Sequence, residues 1–163
     1  GTVRREITAV RIPEVIEATS ELLEGEMQKR GLQFQVDFEE GLPTIDIDRD
    51  EFTRVVTNLL SNAIKYNREN GRIEVRAKRE KDDVILDIRD TGIGMKPEDQ
   101  TMLFRQFYRI KNDETRSIPG TGLGLNIVKQ IVDSYRGGIA VESTWGEGTR
   151  FILRIPVRFA EEQ

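Results

Sequence analysis

Four short stretches hold residue types at spacings that can do chemistry on a phosphorylated small molecule. Asn58 and Asn62 in NLLSNAIKYN stand one helical turn apart, with amide oxygens that Mg²⁺ accepts as ligands, and Lys65 beside them can meet a phosphate as a point charge. Asp90 opens DTGIG with a carboxylate that, once buried, needs a donor such as the exocyclic amine of adenine. Gly92 and Gly94 in the same turn allow a flat ring to come close. Gly120, Thr121, Gly122, Leu123 and Gly124 of GTGLGL lead into an apolar helical pattern, whose first N–H groups suit phosphate. GEGT, Gly146 to Thr149, adds a third turn. Taken singly, the amides serve as well to cap nearby backbone, and Asp90 to close its own turn as an Asx motif. In this order, and on these elements, they describe one nucleotide pocket.

GTGLGL is neither familiar phosphate loop. Leu125 takes the place of the third Rossmann glycine, polar residues precede the motif where a strand is required, and Leu125 and Asn126 stand where Walker A needs its Lys. Between DTGIG and GTGLGL runs YRIKNDETRSIP, Tyr108 to Pro119, too polar to pack by itself and read as a mobile lid over 108–119. Leu103, Phe104 and Phe107 would anchor its root. Arg105 and Arg109 are candidates to reach a terminal phosphate, with plain surface solvation as the alternative for each.

These residues need a scaffold, and two hydrophobic periods supply it. Val15, Ile16, Thr19, Leu22, Leu23 and Met27 recur at helical spacing after Pro13. Phe52, Val55, Val56, Leu59, Leu60, Ala63 and Ile64 form a second stripe over about Asp50 to Tyr66, with Asp48 and Glu51 as a capping box. Asn58, Asn62 and Lys65 fall on the flank of that stripe. Ile127, Val128, Ile131, Val132 and Tyr135 mark a third helix. Period-two alternation predicts strands at 34–38, 73–77, 84–90, 139–141 and 151–157, each with one polar face. In the third of these, Asp90 shares parity with Val84, Leu86 and Ile88, which aims its carboxylate inward. A sheet wet on one side wants helices on the other only, so an α+β two-layer sandwich is favoured over a doubly wound sheet.

Composition bounds the rest. A chain of 163 residues, 37% hydrophobic and 33% charged, suits one domain over 1–163, with residues 1–5 and 158–163 as tails. A net charge of −4 has the wrong sign for a nucleic-acid binder. No Cys means no disulfide framework, and no apolar run is long enough to span or insert into a membrane. There is no His at all, which removes the commonest general base. Any phosphorylated His must lie elsewhere.

With these residues in view, the chain resembles the catalytic and ATP-binding domain of sensor histidine kinases, in the wider group that includes gyrase, Hsp90 and MutL. NLLSNAIKYN resembles the N box, DTGIGM the first glycine box, LFRQFYR the F box, GTGLGL the second glycine box and GEGT the third, across about Pro13 to Pro156. The resemblance implies a Bergerat-type fold: a mixed, mostly antiparallel sheet covered by helices on one face. It implies that Asn62 holds Mg²⁺, that Asn58, Lys65 and Arg109 serve the phosphates, that Tyr66 lies beside the adenine with Met95 and the glycine loops, that Asp90 binds its amine, and that Thr149 supports that end. Two departures stand out: Asn67 where Ser or Thr is common, and Tyr135 where the family often has His.

One position discriminates within the group. Its hydrolases and protein-serine kinases carry a Glu at the place of Asn58 to activate the nucleophile, and an amide cannot take up a proton usefully near neutral pH. Efficient hydrolysis is therefore disfavoured. The expectation is transfer of the γ-phosphoryl of Mg-ATP, by a domain on the cytoplasmic side, to a His on a separate helical dimerisation domain of the same parent protein, with a response regulator downstream. The alternative is a nucleotide-sensing module without chemistry.

Overall fold

The structure, a computed structural model, describes residues 4–105, 108 and 124–160. In chain order the elements are β1 (Ile7–Val10), α1 (Ile12–Lys29), β2 (Gln33–Phe38), β3 (Ile45–Asp48), α2 (Arg49–Lys65), β4 (Arg72–Glu80), β5 (Asp83–Asp90), the short α3 (Pro97–Gln100), α4 (Gly124–Ser134), β6 (Gly138–Thr144) and β7 (Gly148–Pro156).

Five strands form one mixed sheet in the order β2-β4-β5-β7-β6. Only β2 and β4 run parallel, and the other neighbours are antiparallel. Ile73, Val75 and Ala77 of β4, Val84, Leu86 and Ile88 of β5 and Phe151, Leu153 and Ile155 of β7 are buried in one core with the stripes of α1, α2 and α4. The opposite face carries charge. Arg150 reaches Asp87 and Glu142, and Arg154 reaches Asp83 and Glu80. The α+β two-layer sandwich expected from the alternation is the architecture found. Val36 is 48% exposed although its parity is inward and its neighbours Phe34 and Phe38 pack against the core; it lies on β2, an edge strand of the sheet.

The sequence did not suggest β1 and β3, which pair antiparallel as a separate ribbon from Ile7↔Asp48 to Val10↔Ile45. Each is only four residues, too short for alternation to register. The capping box forms by half. Asp48 Oδ1 accepts from the Glu51 N–H at 3.0 Å, but the Asp48 N–H donates to the Tyr135 hydroxyl (3.1 Å), and that hydroxyl donates to Glu51 Oε1 (2.7 Å). Tyr135 thus stands between the two halves of the motif. In the stretches expected as tails, Arg5 pairs with Glu51 at 2.7 Å and Phe159 packs edge-on against Tyr135.

Candidate functional site

α2 presents the first set of groups because its apolar stripe is buried and only the flank is left open. Phe52, Val55, Val56, Leu59, Leu60, Ala63 and Ile64 face the core, Asn58 and Asn62 are half-buried, and Lys65 is exposed. Among the described residues neither amide side chain makes a hydrogen bond, so both are available to a ligand, and the capping alternative for them finds no support. The start of α4 lies against this flank: a side chain at Gly124 would bring its Cβ to 3.2 Å from Asn58 Oδ1.

At the other end of α2 the chain meets the DTGIG turn directly. The Tyr66 N–H caps Asn62 O at 3.0 Å, and the Tyr66 carbonyl accepts from the Ile93 N–H at 3.0 Å. Gly92 is obligatory here, since a Cβ would stand 2.9 Å from both Asn67 Cα and Asp90 Oδ1. Gly94 takes φ +70°, the left-handed region where glycine has no steric penalty. Met95 and Thr149 are buried beside this turn, and Tyr66 is half-buried.

Asp90 ends β5 opposite Thr149 of β7 and is 8% exposed. Its Oδ1 accepts from the Gly92 N–H (2.9 Å) and the Thr149 N–H (3.3 Å). The first bond is the Asx turn that the sequence left open, so that reading and an inward-facing carboxylate hold together. Its Oδ2 has no donor among the described residues and is not sealed from solvent. Burial pushes the carboxyl up to about 7, and the two backbone N–H bonds offset that only in part.

Gly124, Asn58, Asn62, Tyr66, Gly92, Asp90 and Thr149 therefore follow one another in a continuous line of contacts from the start of α4 to the end of β5. Arg109, Gly120, Thr121, Gly122 and Leu123, with the lid over 109–119 and Phe107, lie outside the described residues. The flanks of that stretch are held together, as Asn126 Nδ2 donates to Phe104 O at 3.1 Å and Phe104 packs edge-on against Phe151. Tyr108 donates to Asp99 at 2.6 Å, a bond that pushes its hydroxyl up to about 12, and Arg105 is exposed.

Several contributors had no sequence signal. Ser143 Oγ joins the first and third glycine turns: it accepts from the Met95 N–H at 2.8 Å, donates to Gly148 O and contacts Thr149 Oγ1, both at 2.9 Å. Gln100 Nε2 bridges Met95 O and Ser143 O at 3.2 and 3.0 Å. Asn67, which the sequence did single out, is 4% exposed and well bonded, with Arg72 O at 3.1 Å, the Arg68 N–H at 2.9 Å and Thr91 Oγ1 at 3.2 Å.

Among the described residues no group of three or more acidic, His or Cys side chains could hold a metal. The open Asn62 amide fits a cation that arrives on phosphate oxygens and keeps most of its waters, which is how Mg²⁺ behaves. No described helix is long and apolar enough to cross a membrane.

Comparison with known proteins identifies the family and the fold. The family profile described as histidine kinase-, DNA gyrase B-, and HSP90-like ATPase matches residues 47–158. The sensor histidine kinase RppB of Synechocystis sp. is 37% identical over 110 residues, 68% of this chain and 24% of that protein. The non-motile and phage-resistance protein of Caulobacter vibrioides is 32% identical over 167 residues, 100% of this chain and 20% of that protein. The chain thus spans about a quarter or less of these relatives. The catalytic domain of histidine kinase ThkA superposes with a TM-score of 0.82 at 28% identity, covering 94% of this chain and 97% of that one. ThkA in complex with response regulator protein TrrA superposes with a TM-score of 0.76 at 25% identity, covering 93% of this chain and 42% of that one. With a profile match over more than half of its length and a fold shared with a histidine kinase catalytic domain, the chain belongs to the histidine kinase-, DNA gyrase B- and HSP90-like ATPase family.

Proposed function

We propose that this chain binds Mg-ATP and passes its γ-phosphoryl group to a histidine on a separate helical dimerisation domain, in a cytoplasmic two-component relay that ends on a response regulator. The observation that carries the reading is the Asp90 carboxyl: buried, with one oxygen fixed by two backbone donors and the other open. An open acceptor in an apolar setting selects a donor on a flat ring, and the exocyclic amine of adenine is such a donor. Gly92, Gly94 and Met95 shape the turn beside the ring, Tyr66 flanks it, and Thr149 holds that end. Asn58, Lys65 and the N–H groups at the start of α4 serve the phosphates, joined by Arg109 and the remainder of GTGLGL. Asn62 is the residue that would hold Mg²⁺, whose bound charge would offset that of the phosphates.

The attacking nitrogen belongs to the partner histidine. It forms the new bond to γ-phosphorus as the bond to the β–γ bridging oxygen breaks, ADP leaves, and the imidazole proton passes to a base on the partner. This chain's residues position and neutralise. Asn58 cannot serve as a base, which favours a histidine over water as acceptor. Incubating the chain with the histidine-bearing domain and Mg-[γ-³²P]ATP should label that histidine. An unlabelled histidine beside normal nucleotide binding would reject transfer and leave a nucleotide-sensing module.

A further inference from the structure

Behind the site stands a residue that no motif includes. Arg30 follows the last turn of α1, and its guanidinium donates to the carbonyls of Ile64, Lys65 and Asn67, with Lys65 O at 3.0 Å from Nη1. It also pairs with Glu69 at 3.4 Å, and its own carbonyl accepts from the Asn70 N–H at 2.9 Å. One residue therefore grips the stretch from Ile64 to Asn70 through both side chain and backbone. Helix ends leave their last carbonyls without partners, and a planar cation with five donors satisfies several at once where the helix dipole is negative.

The gripped stretch is the back wall of the DTGIG turn. Tyr66 O holds the Ile93 N–H, Asn67 Oδ1 holds Thr91 Oγ1, and Gly92 packs on Tyr66 O and Asn67 Cα. We infer that Arg30 is a positioning residue for nucleotide binding: by tying the C-terminus of α2 to that of α1, it fixes the Tyr66–Asn67 surface against which the adenine-side turn is built. The role rests on the reading of this site as an ATP site. Arg30 touches neither Asp90 nor Asn62 and acts through Tyr66 and Asn67.

The test compares wild type, R30Q, R30K and V84A. Val84 is fully buried at the end of β5 away from Asp90, so V84A loosens the core without touching the turn. Two quantities are read: the Kd for Mg-ATP by calorimetry, and hydrogen exchange of the Ile93 amide in nucleotide-free protein. R30Q should weaken Mg-ATP binding about tenfold and speed Ile93 exchange by about as much, since hydrogen bonds to a charged donor are lost. R30K keeps the charge without the fork and should lose about threefold. In the transfer assay R30Q should raise KM while kcat stays within about twofold. V84A should lower the melting temperature and leave both Kd and Ile93 exchange at wild-type values. Wild-type Kd and Ile93 exchange in R30Q, or equal losses in V84A, would overturn the role of Arg30 alone. Absence of nucleotide affinity in the wild type would overturn the functional reading and this role with it.

Discussion

Asp90 concentrates the conflict between folding and binding in a single carboxyl. Burial raises it from 3.8 to about 7, so the folded chain holds that proton more tightly than the unfolded chain does. The stability from the protonated form is complete below about pH 4 and is lost as the pH rises through about 7. Above that, nucleotide-free protein carries a buried charge in anticipation of its ligand. D90N keeps an oxygen for the Gly92 and Thr149 N–H groups and never ionises. In nucleotide-free protein at pH 8 it should be more stable on the order of 3 kcal/mol, about 6–12 °C in melting temperature, with the gain vanishing by about pH 4. Scanning calorimetry across that range checks the sign. The same substitution should weaken nucleotide binding by roughly 1.5–3 kcal/mol, about ten- to a hundredfold, because the acceptor loses its charge. Wild-type affinity should itself fall about tenfold from pH 8 to pH 6 as Asp90 takes up its proton. D90N, which titrates the nucleotide but not the site, supplies the baseline, and parallel pH profiles for the two proteins would remove the role of Asp90.

At the scale of the element, α2 does two jobs at its two ends. Its N-terminus is fastened by Asp48, Glu51, Tyr135 and Arg5, whose guanidinium also lies over the Tyr135 ring at 4.6 Å. Tyr135 acts here as a structural residue. Y135F leaves the Asp48 N–H without its acceptor and should cost about 1–2 kcal/mol, roughly 2–8 °C by thermal denaturation. Nucleotide affinity should hold within about twofold. The other end behaves oppositely. Asn62 makes no side-chain bond among the described residues, so N62A should leave the melting temperature nearly unchanged and metal-free nucleotide binding intact. It should abolish Mg-dependent transfer, and undiminished labelling of the partner histidine by N62A would refute its assignment as metal ligand.

For the whole molecule, the candidate site joins the two layers. Asp90 and Thr149 end neighbouring strands inside the sheet, whereas Asn58, Asn62 and Tyr66 belong to the helical layer. A ligand held by both layers binds the folded chain and not the unfolded one. Mg-ATP at a hundred times its Kd should therefore add about 2.7 kcal/mol, a rise of roughly 5–11 °C in the melting temperature. Chelating the metal should remove part of that rise. A melting curve that ignores saturating Mg-ATP would count against a site built across the sandwich.

The sequence by itself determined every element whose burial repeats locally. The stripes of α1, α2 and α4 and the alternation in β2, β4, β5, β6 and β7 are legible because one buried face imposes a period of 3.6 or 2. Strand parity foretold the inward Asp90, and helical spacing foretold the shared flank of Asn58 and Asn62. Only the tertiary structure decided the β1–β3 ribbon, the Tyr135 hydroxyl between Asp48 and Glu51, Ser143 beneath Thr149, and Arg30 behind Tyr66. Most of these pairings join residues far apart in the chain, and even Ser143 reaches Thr149 only across the β6–β7 pair. A contact of this kind leaves no period in the sequence, because its partners are chosen by how the layers pack and by which buried polar groups still lack a bond.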